Sequence, residues 1–165
     1  MDVSDRLTRS ITVARSPDVL YDMVSDVTRM GEWSPVCASC EWVDGSSPSV
    51  GAVFVGHNVT PGRSWDMRCK VFVADRGREF AFATIGTPGG DDTDENGMTR
   101  WGYTFTVVEG GTQVQESWEL TPSGLQTVSA MPPEQRKGIV DVVIPNTLLG
   151  MEETLAHLKQ VAEVS

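Results

Sequence analysis

Residues 99–120, TRWGYTFTVVEGGTQVQESWEL, decide the fold. Apolar and polar side chains alternate on both sides of the glycine pair, and this period of two is typical of half-buried β-strands. A two-residue turn at Gly110-Gly111 places Val107 opposite Val114. The remaining predicted pairs are Phe105 with Glu116, Tyr103 with Trp118, and Trp101 with Leu120. One face of the hairpin therefore carries nearly all of its large apolar groups, and Glu116 lies on the same face.

The segment before this hairpin predicts more of the same antiparallel sheet. Short alternating stretches are separated by Gly, Pro, Asp and Ser, which is typical of a meander rather than of β-α-β units. With a first strand at the amino end, we predict strands near 6–14, 37–44, 52–60, 65–75, 78–86, 99–109 and 112–121. Residues 86–97 are turn formers and acids, and we expect a long exposed loop there.

Two further turns predict which side chains share the inner face of the sheet. A turn at Arg76-Gly77 pairs Val73 with Phe80, Val71 with Phe82, Cys69 with Thr84, and Met67 with Gly86. A turn at Pro61-Gly62 puts Ala52, Phe54, Gly56 and Asn58 on the face shared with Trp65, Met67, Cys69 and Val71. The opposite set, Val53, Val55, His57 and Val59, is also largely apolar, so this second assignment leaves an alternative open.

Helical patterns flank the predicted sheet. Ser16 followed by Pro17 is typical of a helix start, and the apolar stripe that follows predicts a helix broken near Ser25-Asp26. After Pro132 the apolar period changes to spacings of four and three, through Ile144, Leu148, Met151, Leu155, Leu158 and Ala162. Pro145 should kink this long helix. The helix must lie across the concave face, because nothing else in the chain can bury its stripe.

Several short motifs, in their order along the chain, carry a family resemblance. They are ITVA (11–14) before SPDVLYD (16–22), DV (26–27) before WSP (33–35), GAVFVGHN (51–58), GT (111–112) before ESWEL (116–120), and GMEETL (150–155) before LK (158–159). In this order the chain resembles the polyketide cyclase/dehydrase branch of the START-like, Bet v 1-like (SRPBCC) superfamily over essentially its full length.

The resemblance implies an α+β helix-grip fold. In this fold a curved seven-stranded antiparallel sheet wraps around a long C-terminal helix, with two short helices after strand one. It further implies a hydrophobic cavity between sheet and helix that binds lipids, polyketides, sterols or aromatic metabolites. The resemblance alone does not imply catalysis.

Length and charge narrow the functional classes. A chain of 165 residues with 39% hydrophobic content fits a single domain, 1–165. A net charge of −10 repels phosphate backbones, so we expect no nucleic-acid partner. No stretch approaches the roughly 18 apolar residues of a membrane span, and the polar first residues lack signal-peptide features. We therefore expect a cytoplasmic protein without integral membrane association.

Metal and cofactor chemistry finds little support in the residue pattern. Cys37, Cys40 and Cys69 are an odd number for a disulfide framework, in agreement with a reducing compartment. Cys37-x-x-Cys40 lacks the second pair or histidine of a zinc site, and we interpret both as small apolar residues. His57 and His157 are scattered. We predict no metal and no cofactor.

Glu116 is the sharpest candidate for chemistry. Buried among apolar groups, its carboxyl should have a raised pKa and could act as a general acid or base in a cyclisation or dehydration. A structural role, with Tyr103, Asn58 or a buried water as partner, is the alternative. Tyr103 could orient a ligand oxygen or anchor to backbone. The predicted ligand-contacting set is Trp33, Phe54, Asn58, Met67, Cys69, Phe82, Thr84, Trp101, Tyr103, Phe105, Glu116, Trp118, Val143 and Leu148.

Two functions remain open from the sequence. The first is binding of a hydrophobic small molecule, a polyketide, lipid or aromatic metabolite, with or without cyclase or dehydrase activity. The second is a non-catalytic carrier or regulatory module whose outer strand face, Val53, Val55 and Val59, pairs with another chain. The sequence is compatible with a monomer or a homodimer.

Overall fold

The computed structural model describes residues 6–45, 47–89 and 97–164. Its strands are β1 (Arg6–Val13), β2 (Cys37–Trp42), β3 (Val53–Thr60), β4 (Arg63–Asp75), β5 (Glu79–Gly86), β6 (Thr99–Val108) and β7 (Gly111–Leu120). Its helices are α1 (Pro17–Ser25), 3-10 helices at Val27–Glu32 and Val43–Gly45, α2 (Pro122–Ser129), α3 (Pro133–Gly138), a π-helix at Ile139–Val143, and α4 (Ile144–Val164). Most of the loop predicted for 86–97 lies outside the described residues.

The described strands form one seven-stranded antiparallel sheet in the order β1-β7-β6-β5-β4-β3-β2. Strands β2 to β7 follow one another as a meander, and β1 joins the far edge beside β7. Short loops favour this arrangement because antiparallel neighbours need only a hairpin connection. The predicted α+β fold, a curved sheet with a long C-terminal helix, is confirmed.

The register predicted for the β6–β7 hairpin is wrong by two residues. Val108 pairs with Gly111, so the turn is Glu109-Gly110, and Tyr103 therefore lies opposite Glu116. Gly111 pairs as the first residue of β7 and passes close to β1, where a Cβ would lie 2.1 Å from the Val13 carbonyl oxygen. The corrected pairs are Phe105 with Val114, Tyr103 with Glu116, and Trp101 with Trp118. A shift of two residues preserves the inner face.

The hairpin between β4 and β5 follows the prediction only in its centre. The pairs Val71 with Phe82 and Cys69 with Thr84 are confirmed. The outer predictions, Val73 with Phe80 and Met67 with Gly86, are wrong, because register shifts interrupt the ladder on both sides. The observed outer pairs are Val73 with Ala81, Ala74 with Phe80, and Arg68 with Gly86. Such β-bulges add a residue to one strand and increase its twist.

The two possible faces of β3 are resolved. Phe54 pairs with Cys69 and Asn58 pairs with Trp65, as the Pro61-Gly62 turn predicts. Phe54 is buried, whereas His57 and Val59 of the alternative set are exposed. The face that carries Phe54 is therefore the inner one.

Capping side chains define the helices that follow strands β1 and β7. Ser16 Oγ accepts a hydrogen bond from the Val19 N–H at 3.3 Å, and the predicted break after Ser25 is present, with Asp26 capping the 3-10 helix. Helix α2 was not predicted. It begins in the same way, since the side chain of Thr121 accepts from the Gly124 N–H at 3.1 Å and Pro122 follows it.

The predicted kink near Pro145 takes the form of a π-helical turn. The Ile144 N–H bonds to the Ile139 carbonyl five residues earlier, directly before the proline. A proline ring crowds the carbonyl four residues before it, and a widened turn relieves this contact. Helix α4 then packs on β1, with Met151, Leu155 and Leu158 buried.

The buried apolar side chains form two clusters along the concave face. The larger cluster holds Phe54, Phe80, Phe82, Phe105 and Leu158 among others. The smaller cluster consists of Leu7, Trp118 and Met151, with Leu120, Ile144 and Leu148 packed against it. Trp101 contacts both clusters. The boundary between the two clusters therefore crosses both β6 and β7.

Candidate functional site

Glu116 and Tyr103 form a buried polar pair on the inner face of the sheet. Residues 114, 116 and 118 of β7 face inward by strand alternation, and the side chain of Glu116 is only 3% exposed. Tyr103 lies directly across on β6 and donates its hydroxyl to Glu116 Oε1 at 2.9 Å. Glu116 Oε2 has no hydrogen-bond partner among the described residues. Such a buried unpaired oxygen needs an explanation.

Burial determines the protonation state of this pair. Loss of solvent raises the pKa of Glu116 to about 8, against the opposing effect of the hydrogen bond from Tyr103. Burial and the neighbouring Glu116 together raise the pKa of Tyr103 well above its usual value. Both groups are therefore mainly neutral at pH 7. In this state one carboxyl oxygen of Glu116 carries a proton. Tyr103 donates its hydrogen bond to Oε1, which leaves Oε2 as the oxygen available to carry that proton.

The polar pair lies at the boundary between the two apolar clusters. Val114, on one side of Glu116 along β7, belongs to the larger cluster, and Trp118, on the other side, belongs to the smaller one. The carboxyl thus interrupts an otherwise apolar surface at the point where the core divides.

One end of the concave face is incompletely covered. Inward-facing side chains there are only half-buried: Asn58, Trp65, Met67, Thr84, Thr99, Trp101 and Leu148. At the opposite end Phe80 and Phe105 are buried, and so are Phe82, which pairs with Trp101, and Phe54, which lies in the same row of the sheet as Thr84. Val143, in the π-helix that precedes α4, is 46% exposed. We name this half-open region, bounded by the ends of β3–β6 and the start of α4, the cleft.

A second polar feature lies at the open end of the cleft. The hydroxyls of Thr84 on β5 and Thr99 on β6 are 2.7 Å apart, and the two residues pair across the strands. Trp101 follows Thr99 on the same face and separates it from Tyr103. The cleft therefore offers an apolar wall with a polar group at each end.

The predicted site residues fall into three groups by burial. Buried are Trp33, Phe54, Cys69, Phe82, Tyr103, Phe105, Glu116 and Trp118. Half-buried are Asn58, Met67, Thr84, Trp101 and Leu148, and Val143 is exposed. Trp33 is 2% exposed, and its carbonyl lies 3.1 Å from His157 Nδ1 of α4, so it packs in the core rather than at an entrance. That Glu116 points inward is confirmed; that these residues bind a ligand remains a prediction.

The structure has a separate surface groove that was not predicted from the sequence. It has a volume of about 620 Å³ and is lined by Met98, Ser123, Gln126, Thr127, Ala130, Met131, Pro132 and Gln135. It involves α2, which the sequence interpretation missed, and the Thr121-Pro122 helix start is the signal that could have revealed it. None of its lining residues belongs to the predicted set. Its wide opening to solvent makes it a weaker candidate than the buried pair.

The described residues offer neither a metal centre nor a helix that could cross a membrane. Within residues 6–45, 47–89 and 97–164, no group of three or more His, Cys, Asp or Glu side chains is arranged to hold a metal ion. Of the helices in the same part of the chain, none has the length and apolarity needed to cross a membrane.

The seven-stranded antiparallel sheet and the long C-terminal helix have the helix-grip arrangement of the START-like, Bet v 1-like superfamily. The sequence profile of the family described as polyketide cyclase/dehydrase and lipid transport matches residues 4–163, and the chain belongs to this family. That description supports binding of a hydrophobic ligand in general terms. A search of curated proteins found no match.

Solved structures with the same fold span a wide range of sequence identity. A polyketide-cyclase-like protein of Corynebacterium glutamicum, Cgl2372, is 37% identical, with 99% of this chain and 94% of that one covered and a TM-score of 0.64. Ara h 8.0201 is 14% identical over 97% and 98% of the two chains, with a TM-score of 0.67. Ms6760 of Mycobacterium smegmatis is 17% identical over 96% and 90%, with a TM-score of 0.65. The last two support the fold alone.

Proposed function

We propose that this protein binds a neutral apolar molecule that carries oxygen functions, a polyketide, lipid or aromatic metabolite, in the cleft beside Glu116. The observation that carries the proposal is the buried Oε2 of Glu116, which has no partner among the described residues although Oε1 accepts from Tyr103. Leaving such a group unpaired costs about 1–3 kcal/mol. A ligand oxygen would supply the missing hydrogen bond.

The protonation state of Glu116 favours a neutral ligand. A protonated carboxyl donates a hydrogen bond to a ketone, ester or hydroxyl oxygen without placing a net charge in the apolar interior. With a pKa of about 8, Glu116 is in this form at neutral pH. The chain also has a net charge of −10, which disfavours an anionic head group near it.

The same pair could perform cyclase or dehydrase chemistry. Ring closure of a polyketone requires removal of a proton from a carbon next to a carbonyl, and dehydration requires a proton for the leaving hydroxyl. A carboxyl whose pKa is near the working pH can do either. The Tyr103 hydroxyl donates its one proton to Glu116 Oε1 in the ligand-free protein, so it must turn to the substrate carbonyl oxygen in order to hold it. We assign Glu116 the proton transfer and Tyr103 the orientation of the substrate.

Binding is tested with prodan, a fluorescent naphthyl ketone that is neutral and reports an apolar environment. Replacing Glu116→Leu removes the donor, and we expect the Kd to rise about tenfold, which corresponds to about 1.4 kcal/mol. Glu116→Gln keeps an N–H donor and should bind as the wild type does. Glu109→Leu, an exposed carboxylate in the β6–β7 turn, is the matched control.

Naphthalene itself, which lacks the carbonyl, provides the second arm of this test. Its affinity should be equal in wild type and Glu116→Leu, because no hydrogen bond is lost. If prodan binds equally well to the wild type and to Glu116→Leu, the carboxyl does not contact the ligand and the proposed site is wrong.

A carrier without catalysis is the second candidate, and the lipid-transport part of the family description favours it. The two candidates differ in their response to Glu116→Gln once a substrate is in hand. An enzyme loses turnover while retaining the ligand, since the amide cannot exchange a proton at neutral pH. A carrier retains the ligand and shows no turnover in either form.

A further inference from the structure

Cys37 and Cys40 are brought together by a β-bulge. In a regular strand, residues three apart point to opposite faces. In β2, however, Cys37 pairs with Asn58 and Ser39 with His57, so Ala38 is an extra residue in the ladder. Both cysteines consequently face the interior, where they are 6% and 8% exposed.

The two sulfur atoms are in direct contact. Cys37 Sγ and Cys40 Sγ are 3.0 Å apart, which leaves only ~1 Å to the length of a disulfide bond. They lie over Gly56 of β3, where an added Cβ would be 3.4 Å from one sulfur and 3.7 Å from the other. The glycine therefore leaves room for the pair. The thioether of Met30 lies 3.7 Å from Cys40 Sγ, and Cys37 Sγ lies 3.4 Å from the Ser39 carbonyl oxygen.

The surroundings make the two thiols chemically unequal. The hydrogen bond from Cys40 lowers the pKa of the Cys37 thiol, and the same bond, with burial, raises the pKa of Cys40. The lower pKa makes Cys37 the better suited of the two thiols to act as a nucleophile. Cys69 differs from both, because burial raises its pKa to about 12.

We propose that Cys37 and Cys40 are a reversible redox site that is oxidised to an intramolecular disulfide by a low-molecular-weight disulfide. The Cys37 thiolate attacks one sulfur of the oxidant, forms a mixed disulfide and releases one thiolate. Cys40 then gives up its proton and attacks Cys37 Sγ, which expels the second thiolate. Two protein thiols lose two electrons and two protons, and the oxidant becomes two thiols.

The position of the pair explains how an oxidant reaches it. Strand β2 is at the edge of the sheet, with β3 as its neighbour. The 3-10 helix at Val27–Glu32 covers the bulge of β2 so closely that a Cβ on Gly31 would lie 2.3 Å from the Ala38 carbonyl oxygen. Edge elements open at lower free energy than central strands. Opening of β2 from the 3-10 helix exposes both sulfurs without unfolding the sheet.

The test counts thiols after oxidation of the folded protein. Native protein is incubated with oxidised glutathione, denatured, alkylated and weighed by mass spectrometry. The three thiols of the reduced chain should fall to one, with a loss of two hydrogens before alkylation, and dithiothreitol should restore all three. Cys69→Ser is the matched control and should fall from two thiols to none.

Three outcomes would overturn the proposal. The folded protein retains three thiols under conditions in which the urea-unfolded chain is oxidised; glutathione remains attached and no intramolecular bond forms; or peptide mapping finds Cys69 in the disulfide. Cys37→Ser, with folding verified by circular dichroism, should show no two-hydrogen loss. The site is independent of the proposed ligand, so failure of either proposal leaves the other standing.

Discussion

At the scale of single residues, Glu116 is the side chain that departs furthest from what its surroundings favour. A carboxyl in an apolar interior is costly unless hydrogen bonds or protonation compensate it. Here Tyr103 satisfies one oxygen, and burial keeps the group protonated. Carboxyl groups with a raised pKa are common where a protein binds or transforms a ligand.

The raised pKa of Glu116 predicts a specific dependence of stability on pH. Between its ordinary value of 4.5 and about 8, the unfolded chain releases this proton while the folded protein keeps it. The free energy of unfolding should therefore fall as pH rises through this window, by up to about 1.4 kcal/mol for each pH unit. In Glu116→Gln this contribution is absent, so the stability of the variant relative to the wild type should increase as pH rises.

Urea unfolding at about pH 5 and about pH 8 measures the effect. Glu109→Gln, whose carboxylate is exposed in the neighbouring turn, should follow the wild type. Parallel pH profiles for wild type and Glu116→Gln would show that Glu116 titrates normally in the folded protein.

At the scale of elements, the sequence predicts faces better than it predicts registers. The inner face of β6 and β7 was predicted correctly because alternation survives a shift of two residues. The pairing of Tyr103 with Glu116 was missed, since the position of the turn depends on the contact of Gly111 with β1, which is distant in sequence. The bulge at Ala38 is likewise invisible in the sequence, so Cys37 and Cys40 could not be placed on one face.

We predict opposite effects on stability when each of two helical glycines is replaced by alanine. A Cβ on Gly124 of α2 would lie 2.2 Å from the Met98 carbonyl oxygen, whereas no described atom lies within 4 Å of one on Gly138 of α3. Gly124→Ala should destabilise by roughly 1–3 kcal/mol through overpacking. Gly138→Ala should stabilise by about 0.5–1 kcal/mol through helix propensity.

Chemical denaturation of the two glycine variants beside the wild type provides the measurement. If Gly124→Ala is as stable as Gly138→Ala, α2 does not pack on the Met98 backbone as described.

At the scale of the whole molecule, one sheet and one long helix enclose a core that is packed at one end and open at the other. Helix α4 covers β1 with Met151, Leu155 and Leu158, while the half-buried Trp101 and Thr84 mark the part that it leaves uncovered. The sequence predicted the enclosure, but not which inner-face side chains stay half-buried, because that depends on packing between elements that are distant in sequence. In the proposed function, the open end is the route by which a ligand would reach Glu116.

Titration of prodan against two threonine variants tests the location of the ligand most directly. Thr84→Trp places a large side chain in the cleft, whereas Thr106→Trp adds the same bulk at an exposed position of β6. We predict saturable one-to-one binding to the wild type and to Thr106→Trp, and an affinity at least about tenfold lower for Thr84→Trp. Equal prodan affinity of all three proteins would contradict a ligand site in this cleft.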